Sequence, residues 1–201
     1  MKRKGKLVAN IIGVTLCGTI IMAVILTVIG VVSINNAYLD TFTEELRAAA
    51  IQLRDESNHE YDGDWTIDDD GILRKGGEDI HDEYQGQFDD IYSQTGISYT
   101  VFAGDTRYIT TMKDSSGKRM EGSKAGDKVI QTVLNGGQEY LASNFDIGGV
   151  KWYAYYCPLK NDDGTVMGMV FAGREAAAIT NKIRTITLLM VGVALLFVLI
   201  I

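Results

Sequence analysis

From Leu7 to Val32 the chain runs 26 residues without a charged side chain, and that stretch restricts its possible folds more than any other. At about 1.5 Å per helical residue it is longer than a bilayer core of roughly 30 Å, so it predicts a transmembrane helix. Lys2, Arg3, Lys4 and Lys6 precede it with no anion among them, and such cationic flanks stay cytoplasmic. The N-terminus is therefore expected inside the cell, and the residues beyond the apolar run outside it. A cleaved signal peptide would carry a shorter apolar region, about 7–15 residues, and a small-residue cleavage site. Neither is found before Asn35-Asn36.

A second uncharged run, Ile186–Ile201, continues to the last residue, and its 16 positions are slightly short of a full crossing. It reads as the start of a second span, and the chain as the front part of a longer protein. The expected layout is a basic tail at 1–6, a first span at 7–33, an outer domain at 34–184 and a second span at 185–201. All 26 acidic residues lie between Asp40 and Glu175, whereas only 15 of the 19 basic ones lie beyond the first span. That negative surplus argues against a nucleic-acid partner and against a membrane-docked face. Cys17 falls in the first span and Cys157 in the outer domain. They cannot pair within one chain, so Cys157 is expected to be a small buried hydrophobe.

Within the outer domain, Leu39, Phe42, Leu46, Ala49 and Leu53 recur by alternating threes and fours, which predicts a helix from Asn36 to about Ser57. The stripe can cover the domain's own sheet or the same helix of a second protomer, and a homodimer seam is the expectation. Residues 58–77 read as a solvated loop. Its acidic run fails as a calcium loop, because Gly77 stands where a bidentate Glu is needed and Glu78 comes one place late; no metal is expected. A short helix over Asp82–Ser93 should stop at a left-handed Gly96.

The next stretch, Tyr99–Met112, reads as a hairpin turning at Gly104-Asp105. Alternation sends Tyr99, Val101 and Ala103 to one face and Thr100 and Phe102 to the other. The return strand begins at Arg107 and continues from Tyr108 to Lys113. Arg107 presents a fixed fork of five donors suited to a carboxylate or phosphate. Spacing alone leaves open a solvated strand-end charge or a pair with Asp105.

After a turn at Asp114–Gly117, a short helix is expected over Asp127–Leu134. Two strands, Glu139–Ile147 and Val150–Cys157, are joined by the hairpin signal Gly148-Gly149. Trp152, Ala154 and Tyr156 share one face of the second, with Tyr153, Tyr155 and Cys157 on the other, so both faces should be covered. Pro158 is expected to end the pairing. A last strand over Thr165–Gly173 leads into a helix from Arg174. His59 and His81 are the only histidines, and there is no H-x-x-x-H, cysteine-rich metal spacing or G-x-S-x-G elbow. No enzyme and no cofactor are expected.

Taken in order, Gly71-Ile-Leu-Arg-Lys75, Thr95-Gly96, Phe102-Ala-Gly-Asp-Thr-Arg-Tyr-Ile-Thr110, Gly122-Ser123, Val133-Leu-Asn-Gly-Gly-Gln-Glu-Tyr140, Tyr156-Cys-Pro-Leu159 and Met167-Gly-Met-Val-Phe-Ala-Gly173 carry a resemblance. Framed by two apolar runs, they resemble the single Cache sensor domains of bacterial chemoreceptors, from about Leu39 to Arg174. The resemblance implies an α+β fold, a long N-terminal helix on a PAS-like antiparallel sheet of five or six strands, held outside the cell by a multi-pass membrane protein. It implies HAMP and methyl-accepting signalling regions after residue 201, and through them a chemotaxis kinase and its coupling protein.

In related carboxylate sensors an arginine at the start of the hairpin strand and a polar residue three places on grip a small anion, which puts Arg107 and Thr110 in those roles. Threonine in place of the family's frequent histidine weakens the case for di- and tricarboxylates. A ligand-facing residue two before the proline becomes Tyr156, and its parity adds Trp152; Tyr99 and Phe102 complete the expected ligand set. Other outputs stay open at this point, namely a sensor histidine kinase, a diguanylate cyclase, or a structural dimerisation module without a ligand.

Overall fold

The computed structural model describes residues 2–200. Met1, in the expected basic tail, and Ile201, at the end of the expected second span, lie outside the described residues. The chain forms two compact units, one built from the residues up to Thr41 together with those from Ala178 on, the other from Phe42–Ala177.

The first unit contains most of helix α1 (Lys2–Glu60) and nearly all of α4 (Ala176–Ile200). Both carry an apolar window long enough to cross a membrane, with mean hydropathy 2.6 and 2.0. Their large apolar side chains face outward, Val14 and Leu199 being 73% and 84% exposed. In water that would be costly, and in lipid it is the ordinary arrangement. The two segments run antiparallel: a Cβ on Gly30 would come within 2.9 Å of Met190, and the Lys182 ammonium sits 5.5 Å from the Tyr38 ring.

In the second unit a five-stranded antiparallel sheet has the order β5-β4-β8-β7-β6. Its strands are β4 (Ser98–Ala103), β5 (Thr106–Thr110), β6 (Tyr140–Ile147), β7 (Val150–Lys160) and β8 (Val166–Glu175). This is the expected α+β, PAS-like architecture with a long N-terminal helix. One face of the sheet is covered by α1 and α2 (His81–Thr95). Phe42, Leu46, Ala50 and Leu53 are buried there, with the Phe42 ring edge-on to Tyr153 at 6.0 Å. The stripe expected as a dimer seam is thus corrected: Phe42, Leu46 and Leu53 are used by the protomer's own sheet, while Leu39 and Ala49 are half-buried. Gly96 ends α2 in the left-handed conformation as expected, φ 69°. The opposite face of the sheet is covered by the segment from Met112 to Gly126 and by a short helix, α3 (Asp127–Val129), continuing as a π-helical Ile130–Asn135.

Four other expectations need correction. Residues 58–77 are not a bare loop: β1 (Trp65–Ile67), β2 (Leu73–Lys75) and β3 (Glu78–Asp79) form a separate small sheet. Strands of two or three residues leave no periodicity to read, but Trp65 and Leu73 supply a core, at 1% and 0% exposure. The acidic run is a turn in which Asp68 accepts the N–H of Ile72 (2.9 Å) and pairs with Arg74 (3.1 Å). Pro158 does not end β7, which continues to Lys160 paired with β8. Pairing with β6 stops at Tyr156, so Pro158 lies where the far edge of β7 needs no donor. The return strand β5 ends at Thr110, earlier than Lys113, and α4 begins at Ala176, leaving Arg174 in β8.

β8 packs closely because Gly168 lacks a side chain: a Cβ there would sit 2.1 Å from the carbonyl oxygen of Phe102. Gly168→Ala should therefore push β8 from β4 and cost about 1–3 kcal/mol, the usual range for overpacking. Thermal unfolding of the purified chain checks this, with a midpoint several degrees lower expected; an unchanged midpoint would contradict the close approach.

Candidate functional site

The face of the sheet beneath the Met112–Gly126 segment and α3 holds a cavity of about 460 Å³. Its buried floor is Arg107, Val129, Ala142 and Tyr156; Met120, Ser123, Tyr140, Phe145 and Ile147 form half-buried walls. Lys124, Asp127, Lys128 and Asp146 stand at the exposed rim.

Two β-bulges shape it. In the β4–β5 ladder Val101 faces Ile109 but Phe102 faces Arg107, so Tyr108 is an extra residue. The insertion puts Arg107 and Thr110 on the same face although three residues apart, which strict alternation forbids. In β6, Ala142 faces Ala154 and Phe145 faces Trp152, again with one residue too many. Asn144 absorbs it with φ 54°, the left-handed region that asparagine tolerates better than most residues. The result is that Tyr140 and Ala142, then Phe145 and Ile147, all border the cavity.

Arg107 is only 4% exposed. Its backbone is clasped by the following loop: its N–H donates to the Ser123 carbonyl and its own carbonyl accepts from Gly122, both at 2.8 Å. Its Nη1 donates to Ser123 Oγ at 2.7 Å, and the guanidinium lies 5.2 Å from the Phe102 ring. Its buried Nε has no partner, and no carboxylate acts on it among the described residues. Asp105, the partner that spacing left open, is bound to Lys124 instead, at 2.8 Å. Burial pushes the guanidinium below its ordinary pKa, with Tyr156 partly opposing, yet a guanidinium keeps its proton in any physiological medium. Burial likewise pushes the Tyr156 phenol up, with Arg107 opposing, so the phenol stays a neutral hydrogen-bond donor.

The structure brings together only some of the residues expected at the site. Arg107 and Tyr156 share the cavity floor. Phe102 lies behind the guanidinium, fully buried, and does not line the cavity. Thr110 is on the same face but spent: its hydroxyl bonds Thr100 at 2.7 Å and accepts the Met112 N–H at 3.1 Å. Trp152 packs on Phe171 at 6.3 Å outside the lining, its indole N–H without an acceptor among the described residues. Tyr99 is on the other face, packed on Phe88 at 5.5 Å and bordering a groove between α1 and α2; alternation along β4 already separates it from Phe102. Sequence reasoning missed Tyr140, Phe145 and the Met120–Ser123 wall, because a bulge and a loop fold-back leave no periodic signal. No three His, Cys, Asp or Glu side chains among the described residues are grouped as a metal ion would need.

The family described as Single cache domain 3 matches residues 78–186, more than half of the chain. Among solved structures, the chain is similar to the sensor domain of DcuS from E. coli, at 17% identity and a TM-score of 0.47, over 74% of this chain and 98% of that one. It is also similar to the ligand-binding domain of the Campylobacter jejuni chemoreceptor Tlp3, solved in complex with L-valine, at 10% identity and a TM-score of 0.48. That match spans 76% of this chain and 60% of the other. A sensory box sensor histidine kinase from Vibrio cholerae matches at 10% identity and a TM-score of 0.31, over 46% of this chain and 89% of that one. No curated protein matches the chain.

A buried cation without a counter-charge should weaken the ligand-free fold. Arg107→Met keeps much of the volume and removes the charge, and should raise stability by about 1–2 kcal/mol once the lost Ser123 bond is subtracted. Thermal unfolding without added ligand reads this directly, and a clear loss of stability would mean that protein groups already offset the burial of the charge.

Proposed function

This chain belongs to the Single cache domain 3 family, and on that premise we propose that it is the extracytoplasmic sensor portion of a transmembrane chemoreceptor that binds a small organic anion. The observation that carries the reading is the Arg107 guanidinium, buried, with an unpartnered Nε beside a cavity of about 460 Å³. An anion there would satisfy the orphaned donor and supply the missing charge, and the neutral Tyr156 phenol offers a second hydrogen bond to it.

The two apolar helices flanking the domain support a membrane setting, with the N-terminus on the cytoplasmic side by the positive-inside rule. Anion binding would draw the Met120–Ser123 loop and the β6–β7 hairpin toward Arg107. That closure would shift a two-state population of the sheet, whose last strand β8 runs directly into α4. HAMP and methyl-accepting regions following α4 would pass the shift to a chemotaxis kinase through its coupling protein, in a homodimer. Because the sheet already occupies Phe42, Leu46 and Leu53, the dimer contacts would use other surfaces.

The test is isothermal titration of the purified chain in nanodiscs with a panel of small organic acids, comparing wild type with Arg107→Ala. Losing the charged partner of a buried anion costs about 2–5 kcal/mol, so affinity should fall roughly 30-fold or more. Equal affinity in the two proteins would refute the site.

A further inference from the structure

Resting on that reading of the cavity, we infer that the ligand is a monocarboxylate with an aryl or comparably bulky apolar body, and that short di- and tricarboxylates are poor ligands. The cavity holds one buried cation. Its other two cations are at the rim and already engaged, Lys124 with Asp105 at 2.8 Å and Lys128 over the Tyr140 ring at 5.3 Å. Asp127 and Asp146 share that rim.

Beyond Arg107, and inside the rim, the lining side chains offer a second carboxylate only neutral hydroxyls, from Ser123, Tyr140 and Tyr156, and the apolar surfaces of Met120, Val129, Ala142 and Phe145, with no further buried cation. Burying a second charge without a counter-charge is among the most expensive arrangements in a protein interior. An apolar body in the same place meets the surface that is there. Phe145 and Tyr140 each stand against Tyr156, with ring centroids 6.3 and 6.4 Å apart, so three aromatic rings make a continuous wall. Flat rings pack edge-to-face or offset against such a wall.

Size points the same way. Pockets of roughly 300–1,000 Å³ suit ligands of many heavy atoms, and this one measures about 460 Å³. A two-carbon acid would neutralise Arg107 and leave the aromatic wall wet. A phenyl ring one methylene from its carboxylate would bring an apolar face to that wall.

The experiment is titration of the wild-type chain in nanodiscs with phenylacetate, acetate, succinate and the neutral isostere phenylacetamide. Phenylacetate should bind at least ten-fold more tightly than each of the other three. In Phe145→Ala its advantage over acetate should shrink several-fold, a ratio that reports on the wall and not on folding. Succinate or acetate binding as tightly as phenylacetate, with Arg107→Gln abolishing both, would overturn the aryl inference and leave the anion site standing. Phenylacetamide matching phenylacetate, or no binding by any acid, would overturn both.

Discussion

The site is built on one unsatisfied electrostatic requirement: a guanidinium taken out of water with no counter-charge acting on it and its Nε–H left without a partner among the described residues. Arg107 is surrounded by the Phe102 ring, the Ser123 hydroxyl and the Tyr156 phenol, none of which carries charge. Proteins rarely bury an ionised group in this way, because desolvation is offset only by a counter-ion and full hydrogen bonding. The fold tolerates it by fixing the residue from the backbone. β4 holds one side of Arg107 through Phe102, and the Gly122–Ser123 segment clasps the other with reciprocal 2.8 Å bonds. On the proposed reading, an anion bound there would relieve that free-energy cost, and the relief would give binding its leverage over the rest of the domain.

Around that residue the sheet divides its labour by face. One face is ordinary core, sealed by α1 and α2, where Cys157 lies buried with its thiol pushed up to about 12 by desolvation. The other is covered only by a loop, a short helix and a π-helical turn, a form of backbone often found at functional sites. The two bulges belong to this second face. Without the extra residue at Tyr108, Arg107 would point to the helices; without Asn144, Phe145 and Ile147 would point to solvent. Arg174 ties the end of β8 to both helices, meeting Glu45 of α1 at 3.1 Å and the Thr95 carbonyl at the end of α2. The strand that crosses the middle of the sheet is thus anchored at the point where the chain turns into α4.

Much of this was legible in the sequence, and the illegible parts have identifiable causes. Long periodic elements announced themselves: the α1 stripe, the alternating faces of β7, the Gly104-Asp105 and Gly148-Gly149 turns. The partner of the α1 stripe was not legible, since a 3.5-residue repeat fits a sheet as well as a second helix. The small β1–β3 sheet escaped because its strands are shorter than any pattern. Pro158 misled because a proline is compatible with a strand wherever one edge lacks a neighbour, and strand order is not written locally. At the site, Arg107 and Tyr156 could be named from the resemblance, whereas Thr110 and Tyr99 could not be excluded by it. Thr110 is consumed by Thr100, and Tyr99 is turned away by simple alternation.

The Nε–H of Arg107 has no hydrogen-bond partner among the described residues of the protein, and on the proposed reading it is the group that takes up the anion. Nuclear magnetic resonance of arginine Nε–H groups in the nanodisc-embedded chain, with Arg107 assigned by Arg107→Lys, measures this directly. The account predicts a slowly exchanging signal without hydrogen-bonded character that moves downfield when a carboxylate ligand is added. A signal already downfield in the free protein, or one that stays in place at saturation, would contradict it.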